Sequence, residues 1–463
     1  MDLVPRRANL ASMARLALPI VTVQVGMMFM GVVDTMMVGR LSAIDLAAVA
    51  LGNAYFYTIA VFGIGMLMAL DPIVAQAVGA EDPEGIARGM QRGFALTLFL
   101  ALAASVLFLP SRAVFVLLRQ PADVVPVAAG YIFGSIPGMF PFYAFVVLRQ
   151  SLQALGRVSP IVLTIVAANV LNVFLNWVLI FGNLGFPRMG AVGSAWGSSV
   201  ARWFMAALLL ALSWSAVKPF LSRVRREAFD VLALGRMAWL GTPLAFQQQL
   251  EFGAFAIIGV MMGWFGTIAM AGHQVAINLA ALAFMVALGI AGASAVLVGR
   301  AVGRRDMVEA RRAAGAGTLL GGSFMVATAC VFLWAPGFLA GIYTSDAEVL
   351  AVAVVLLPIA GIFLVADGLQ AVAAGVLRGA GDTRSPFLFN ALGFWGFGIP
   401  VSVVLAFPLG MGGEGLWWGL AAGLGAVAVL LYLRVRRLLA RDIRRTVIDD
   451  PGASRAARRR RVA

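Results

Sequence analysis

The chain of 463 residues has little of the chemistry on which most enzymes depend. It contains one lysine, one histidine and one cysteine, which are Lys218, His273 and Cys330. A phosphate-binding Walker A loop needs a lysine after glycines, whereas Lys218 stands directly before Pro219. One histidine and one cysteine provide neither a His/Cys zinc site nor a disulfide. No Gly-x-Ser-x-Gly motif is present either. We therefore predict a protein that is not an enzyme and has no cofactor.

Charge is also scarce, and apolar residues fill the space. Charged residues make up 12% of the chain and apolar residues 62%, against about a quarter and about half in ordinary soluble domains. A membrane-spanning helix needs roughly 20 apolar residues. We predict an all-α polytopic membrane protein with twelve transmembrane helices, at about 14–38, 46–70, 91–112, 124–148, 160–182, 190–216, 238–262, 268–298, 315–341, 348–377, 386–408 and 414–435.

The basic residues predict the orientation of these spans. With the N-terminus in the cytoplasm, 30 of the 35 lysines and arginines fall in cytoplasmic segments. This positive-inside bias predicts that both termini are in the cytoplasm. The preference for arginine over lysine hints at a GC-rich bacterial genome, and we expect the protein in a bacterial inner membrane. The basic tail from Arg455 to Arg461 resembles a nucleic-acid-binding segment in isolation. Beside a last span it is more often a topology signal or a contact to anionic lipids, so we expect lipid and no nucleic acid as its partner.

The two halves of the sequence resemble each other at an offset near 224 residues. The recurring pairs are Met13–Pro19 with Met237–Pro243, Val78–Asp82 with Val302–Asp306, Ser159–Pro160 with Ser385–Pro386, and Met189–Gly197 with Met411–Gly419. Six spans per unit give two parallel repeats, an arrangement common in transporters. The predicted division is an N-lobe at 1–217, a cytoplasmic linker at 218–236, a C-lobe at 237–440 and a basic cytoplasmic tail at 441–463.

Four acidic residues fall within or at the edge of the apolar spans: Asp34, Asp71, Glu251 and Asp367. A charge inside the bilayer is costly, so such residues are functional candidates by default. No lysine is available to pair with them, and Arg202 is the one arginine that lies in a predicted span away from its ends. We therefore predict a functional role for Asp34, Glu251 and Asp367. Asp71 precedes Pro72, which favours a helix-break or capping role there.

Polar neighbours extend this set. Gln247 lies one helical turn before Glu251 and can share its face. Further candidates are the amides and the histidine inside spans five and eight: Asn169, Asn172, Asn176, His273, Gln274 and Asn278. The asparagines either face Asp34 or simply bridge helices. His273 is either structural or able to titrate.

Buried carboxylates predict a type of chemistry. A carboxylate held away from water is a reversible proton carrier, and with further oxygens nearby it can hold a desolvated Na⁺. When empty, it can bind an organic cation. Competition between a small cation and a lipophilic cation for the same carboxylates is the minimal mechanism of an antiporter.

Three segments resemble one transporter family. They are VVDTMMVGR at 32–40, continued by 42–49; AGHQVAIN at 271–278; and DGLQAVAAGVLRG at 367–379. Together they resemble NorM-type MATE transporters (multidrug and toxic compound extrusion), in order and over the whole chain.

This resemblance implies two six-helix lobes around a central cleft, and export of cationic or zwitterionic drugs and dyes against Na⁺ or H⁺. It also implies a C-lobe cation site at Glu251 and Asp367, where Na⁺ is a possible ligand. In the N-lobe it implies a site at Asp34 with Asn172 and Asn176. A second acid found in related members is missing in span five. Proton coupling at Asp34 and Na⁺ coupling through the C-lobe are therefore both open.

Other functions remain as alternatives. A lipid-linked oligosaccharide flippase of the same superfamily is the nearest, although such proteins often have extra spans and a strongly basic cavity. A receptor or channel fits the duplicated halves and asymmetric acids less well. We expect a monomeric exporter of small organic cations that confers drug resistance.

Overall fold

The described part of the protein, residues 4–449 of a computed structural model, is built from twelve long helices and contains no strand. All twelve are long and apolar enough to cross a membrane, which confirms the predicted all-α polytopic fold. We number them in chain order: α1 Arg7–Val38, α2 Ala43–Gly79, α3 Pro83–Phe108, α4 Val124–Ala154, α5 Ser159–Phe181, α6 Gly190–Leu221, α7 Val231–Gly263, α8 Thr267–Gly303, α9 Met307–Trp334, α10 Ala347–Gly379, α11 Arg384–Ala406 and α12 Gly412–Leu439.

Most helices are longer than their apolar runs. Helix α3 begins at Pro83 instead of near 91, and α8 continues to Gly303 instead of ending near 298. The added turns are polar, so a hydropathy pattern finds the middle of a helix and not its ends. The predicted linker is shorter for the same reason: only residues 222–230 separate α6 from α7, and they include one 3-10 turn.

The outer surface of the bundle is apolar. On α3, for example, Leu98, Leu102 and Val106 project outward at four-residue spacing and are more than half exposed. In water such a stripe would be covered by a partner or would aggregate. Hydrocarbon chains solvate it without cost, as expected for a membrane protein.

Three helices are interrupted near polar residues. Helix α2 breaks after Leu67 and resumes at Leu70, and α4 contains a 3-10 turn at Ile136–Gly138. Helix α11 widens into a π-helix at Ala391–Gly398, directly after Asn390. Such π segments are frequent at functional sites, because they redirect side chains out of the regular helical register.

The sequence repeat is also a repeat of backbone geometry. Glu81 and Arg305, 224 residues apart, both adopt left-handed conformations with φ of 53° and 61°. Asp82 and Asp306 then cap the next helix in the same way, each accepting a hydrogen bond from a backbone N–H three residues later. The equivalent turns end the second helix of each half identically, as two copies of one ancestral unit would.

The halves approach each other at these same helix ends. A Cβ atom on Gly79 would lie 2.0 Å from the carbonyl oxygen of Arg300, and one on Gly303 would lie 2.1 Å from the carbonyl oxygen of Gln76. Both pairs follow the 224-residue offset. Glycine is therefore required at both positions for the backbones of α2 and α8 to meet.

The side chains of Gln76 and Arg300 repeat the same reciprocity. Gln76 Nε2 donates to the carbonyl oxygen of Gly379 at 2.9 Å. Arg300 donates through Nε and Nη2 to the carbonyl oxygen of Ala154 at 2.9 and 2.7 Å. Each half thus holds the end of the other half's fourth helix. Because α4, α8 and α10 end on the predicted cytoplasmic side, these bonds close the bundle there.

Candidate functional site

Asp34 lies on α1 in a closed ring of polar side chains. Its Oδ1 accepts a hydrogen bond from Asn176 Nδ2 at 2.6 Å, and its Oδ2 accepts one from Ser198 Oγ at 2.7 Å. Asn172 completes the ring at 3.3 Å from both Asn176 and Ser198. All four side chains are buried. The structure therefore brings together the three N-lobe residues that the sequence predicted and adds Ser198 from α6.

This ring has one unused acceptor and a cation close by. Asn176 Oδ1 is buried and has no hydrogen-bond partner in residues 4–449. Arg202 follows Ser198 by one turn on α6, and its guanidinium carbon lies 4.3 Å from the Phe56 ring centroid and 5.3 Å from that of Phe142. Aromatic faces stabilise a guanidinium where no carboxylate does. Arg202 is thus held within electrostatic reach of Asp34 but makes no ion pair with it in the described chain.

The other two predicted acids, Glu251 and Asp367, lie close together between α7 and α10. Gln370 Nε2 donates to Asp367 Oδ1 at 3.2 Å and to Glu251 Oε1 at 3.4 Å, so one amide bridges the two carboxylates. Asn390 Nδ2, at the start of the π-helical segment, donates to Glu251 Oε2 at 3.5 Å. The predicted pair of C-lobe acids is therefore one site, completed by two amides that the sequence analysis did not single out.

The charge of this site is not balanced by any basic side chain. In the part of the chain that the structure describes, neither Glu251 nor Asp367 lies within 4 Å of an arginine, lysine or histidine nitrogen. Gln370 Oε1 and Asn390 Oδ1 are buried and without hydrogen-bond donors there. Two carboxylates and two free amide oxygens suit a proton or a hard monovalent cation such as Na⁺, which prefers oxygen ligands. The described residues contain no cluster of three or more His, Cys, Asp or Glu that a transition metal would need.

A cavity of about 70 Å³ between the halves reaches Glu251. It admits a few water molecules, but drug-sized ligands occupy pockets of about 300–1,000 Å³. Gln247 lies in its wall one turn from Glu251, as the sequence predicted. The other polar residues of the wall are Gln24, Asp71, Arg149, Gln150, Gln153, Gln248, Gln370 and Arg378.

Asp71 has a role that the sequence did not predict. Its Oδ2 accepts a hydrogen bond from Arg378 Nε at 2.7 Å, and both side chains are about nine-tenths buried. The ion pair joins α2 to α10 and therefore joins the two halves. The expected cap is absent, because α2 resumes at Leu70 without a side-chain cap from residue 69 and Asp71 bonds to Arg378 instead. The break itself lies where Asp71–Pro72 predicted it.

The long helices contain arginines besides Arg202 that lie close to the acids. Helix α4 continues to Ala154 and α10 to Gly379, so Arg149 and Arg378 both lie within helices. Arg149 donates to Gln24 Oε1 at 2.9 Å and is close enough to Asp71 to interact with its charge. The predicted spans end at 148 and 377, directly before these arginines, because arginine lowers the hydropathy where the helix continues.

The remaining predicted residues lie elsewhere. His273 is buried edge-on against Trp417 at 5.4 Å between ring centroids, in an aromatic cluster rather than beside the acids. Asn278 accepts a hydrogen bond from Gln274 on its own helix. Asn169 donates to the carbonyl oxygen of Gly26 and so bridges α5 to α1, which is the structural alternative that the sequence left open.

Some of the added residues carried a signal in the sequence and others did not. Gln370 lies three positions after Asp367, which places both on one helix face. Asn390 is the one amide in its predicted span, so it is a polar side chain inside an apolar helix, as Asn172 is. Ser198 stands in a run of glycines and serines that is typical of close helix packing, and nothing in that run marks it.

The fold and these sites define a polytopic helical membrane protein of the transporter class, with buried carboxylates in each half. The family model MatE matches residues 19–178 and 243–404, two segments that begin 224 residues apart. The chain belongs to the MatE family, and within it resembles the NorM-like transporters.

Relatives and solved structures agree with this placement. A probable multidrug resistance protein NorM of Rhizobium meliloti (strain 1021) is 37% identical, with 92% of this chain and 93% of that protein covered. The multidrug resistance protein NorM of Burkholderia vietnamiensis is 35% identical, with 91% of this chain and 92% of that protein covered.

Among solved structures, the eukaryotic MATE transporter AtDTX14 superposes with a TM-score of 0.85 at 22% identity, over 94% of this chain and 98% of that one. The Vibrio cholerae MATE transporter VcmN in its bent form superposes with a TM-score of 0.83 at 19% identity, over 94% of this chain and 97% of that one. At these identities the structures establish the fold.

Proposed function

We propose that the protein is a secondary active multidrug exporter that exchanges cationic or zwitterionic drugs and dyes for inward H⁺ or Na⁺. Relatives at 33–37% identity carry the name multidrug resistance protein NorM. In this proposal it works as a monomer in a bacterial inner membrane, with both termini in the cytoplasm. The lobes are residues 1–217 and 237–440.

The observation that carries the proposal is the pair Glu251 and Asp367. Two carboxylates that share one bridging amide and have no basic partner are costly away from water unless a cation binds them. A proton, a sodium ion or an organic cation meets this need equally well in chemical terms. The acids therefore exchange one cation for another, and the cavity beside Glu251 is a route for the small one.

Asp34 is the coupling or drug-binding acid of the N-lobe in this proposal. Its ring contains one carboxylate, and Arg202 lies near it, so a metal cation binds there less well than a proton. Na⁺, if it is the coupling ion, then binds at the C-lobe pair. The flippase alternative receives no support, because the cavity wall contains two acids, Asp71 and Glu251, beside its two arginines.

The test is dye transport in proteoliposomes under separately imposed Na⁺ and pH gradients. We expect Asp34→Asn, Glu251→Gln and Asp367→Asn each to abolish transport or reduce it by more than about tenfold, because each removes a charge that the exchanged cation neutralises. Elution as a single folded species from size-exclusion chromatography shows that folding is intact.

Glu414→Gln is the matched control, because Glu414 is an exposed acid at the start of α12. It should transport at the wild-type rate. Near-normal transport by all three acid variants would refute the roles assigned to these residues, and transport driven by neither gradient would refute the exchange mechanism.

A further inference from the structure

The segment that follows the last helix crosses from one half of the protein to the other. Helix α12 ends at Leu439, and residues 440–449 then run along the predicted cytoplasmic surface. The sequence predicted residues 441–463 as a basic cytoplasmic tail, without a contact for residues 441–449. Instead Ile448 is 9% exposed and packs in the apolar core of the N-terminal half. Residues 450–463, including the basic run from Arg455 to Arg461, lie outside the described residues.

Ion pairs attach this segment to α3 and its cap. Arg445 Nη2 donates to Asp82 Oδ2 at 2.6 Å. Asp449 accepts from Arg92 Nη2 at 2.5 Å and lies 2.8 Å from Arg88 Nε. Arg92 is buried, so its pair with Asp449 is shielded from water on one side. These contacts join a segment covalently attached to the C-terminal half to a helix of the N-terminal half.

Backbone hydrogen bonds fix the same segment. Thr446 N–H donates to Gln76 Oε1 at 2.7 Å, and Arg236 Nη1 donates to the carbonyl oxygen of Ile448 at 2.8 Å. Gln76 is fully buried and already donates to the carbonyl oxygen of Gly379. The Gln76 amide therefore binds the end of α10 through its nitrogen and residues 440–449 through its oxygen.

The ionisation of the two acids agrees with a stable contact. Partial burial alone raises the pKa of Asp82, but the hydrogen bond from Gly85 and the Arg445 guanidinium outweigh it and hold the pKa below its usual range. Burial likewise raises the pKa of Asp449, but the hydrogen bonds and charges of Arg92 and Arg88 outweigh it and hold the pKa below its usual range. Both carboxylates are therefore charged at neutral pH.

We propose that residues 440–449 are an intramolecular latch that holds the cytoplasmic ends of the two halves together and must release before the transporter opens to the cytoplasm. This inference rests on the proposed transport function, because the opening is a step of transport. The latch spans the line along which the halves separate. Movement of the halves apart therefore has to break the contacts at Asp82, Gln76 and Asp449 or pull the segment off the N-terminal half.

The test measures the separation of the halves without transport. Spin labels at Arg157→Cys and Arg384→Cys, in a Cys330→Ser background, report the distance between the α4–α5 and α10–α11 turns by electron–electron double resonance in nanodiscs. We expect Asp82→Asn and Arg445→Gln each to increase the population with the longer distance by roughly tenfold, a typical coupling between sites. The double variant should add little to either single one, because both remove the same contact.

Asp306→Asn is the matched control. Asp306 occupies the equivalent repeat position and caps α9 as Asp82 caps α3, while its own bond is to Glu309 N–H. Asparagine also caps helices well, so neither substitution should unfold its helix. Distances unchanged by Asp82→Asn and Arg445→Gln, or changed equally by Asp306→Asn, would overturn the latch. A wild-type protein that transports no dye, together with the expected distance response of the two variants, would instead count against the proposed function alone.

Discussion

The ion pair between Asp71 and Arg378 offers a quantitative test of how the two halves are held together. Removing one partner of a buried pair leaves an uncompensated charge and costs about 3–5 kcal/mol. That cost falls on the state in which both residues are buried, and water relieves it when the cytoplasmic side opens. At 1.4 kcal/mol per tenfold, a single substitution is expected to raise the open population by about two to three and a half decades.

The structure also predicts which substitution is worse. Arg149 lies close enough to Asp71 to interact with its charge, so Arg378→Met leaves the carboxylate one nearby cation. Asp71→Asn leaves two guanidinium groups and removes the acid that both face. We therefore expect Asp71→Asn to increase the open population by the larger factor and Arg378→Met by the smaller one. The double variant should open less than Asp71→Asn alone but more than the wild type, because Arg378 is gone while Arg149 still lacks the carboxylate that it faces.

The assay is the rate at which a membrane-impermeant maleimide labels Gln153→Cys, in the Cys330→Ser background, from the cytoplasmic side. Gln153 is 6% exposed and lines the central cavity, so it reacts when that side opens. The control is the same cysteine with Asp71 and Arg378 intact. Unchanged labelling in both single variants, or a double variant as reactive as Asp71→Asn alone, would refute the reasoning.

Two further predictions follow from the hydrogen bonds. Ser198→Ala removes a hydrogen bond to the Asp34 carboxylate that is worth about 1.5–3 kcal/mol, and it should raise the half-saturating dye concentration roughly tenfold or more. The control is Ser199→Ala, which loses a hydrogen bond to the carbonyl oxygen of Gly134. An equal effect of both substitutions would contradict the role of Ser198. Because the pKa values of Asp82 and Asp449 are lowered when they face Arg445, Arg88 and Arg92, their stabilisation is complete above about pH 4 and is lost only as the pH falls through the lowered values. The difference in spin-label distance between the wild type and Asp82→Asn should therefore be the same from about pH 8 to about pH 5, and a change of that difference within the window would show that other groups control the latch.

The helices were predictable because each span must bury its backbone polar groups within itself, which leaves one solution per apolar run. The acids were predictable for a related reason: Asp34, Glu251 and Asp367 stand out against an apolar background. Helix ends were not, since Arg149 and Arg378 continue their helices while lowering the local hydropathy. Composition alone does not distinguish an arginine at a membrane surface from one buried beside a carboxylate.

Contacts between distant segments were the least predictable. Nothing in the sequence near Ser198 or Asp71 names a partner more than 160 residues away. The docking of residues 440–449 depends on a surface made by α2, α3 and α7 together, which exists only after the bundle has formed. Repeat symmetry supplied part of this information, because a contact made by Gln76 implies an equivalent one made by Arg300.

The paired bonds from Gln76 to Gly379 and from Arg300 to Ala154 have a mechanical consequence. Because the two contacts occupy equivalent positions in the repeat, a movement of one half against the other that lengthens the Gln76 bond should lengthen the Arg300 bonds by a similar amount. In the proposed transport cycle we therefore expect the bonds to break together and half-separated states to be sparsely populated. A fused duplication in this way obtains within a single polypeptide the all-or-none behaviour that a twofold dimer obtains from two identical subunits.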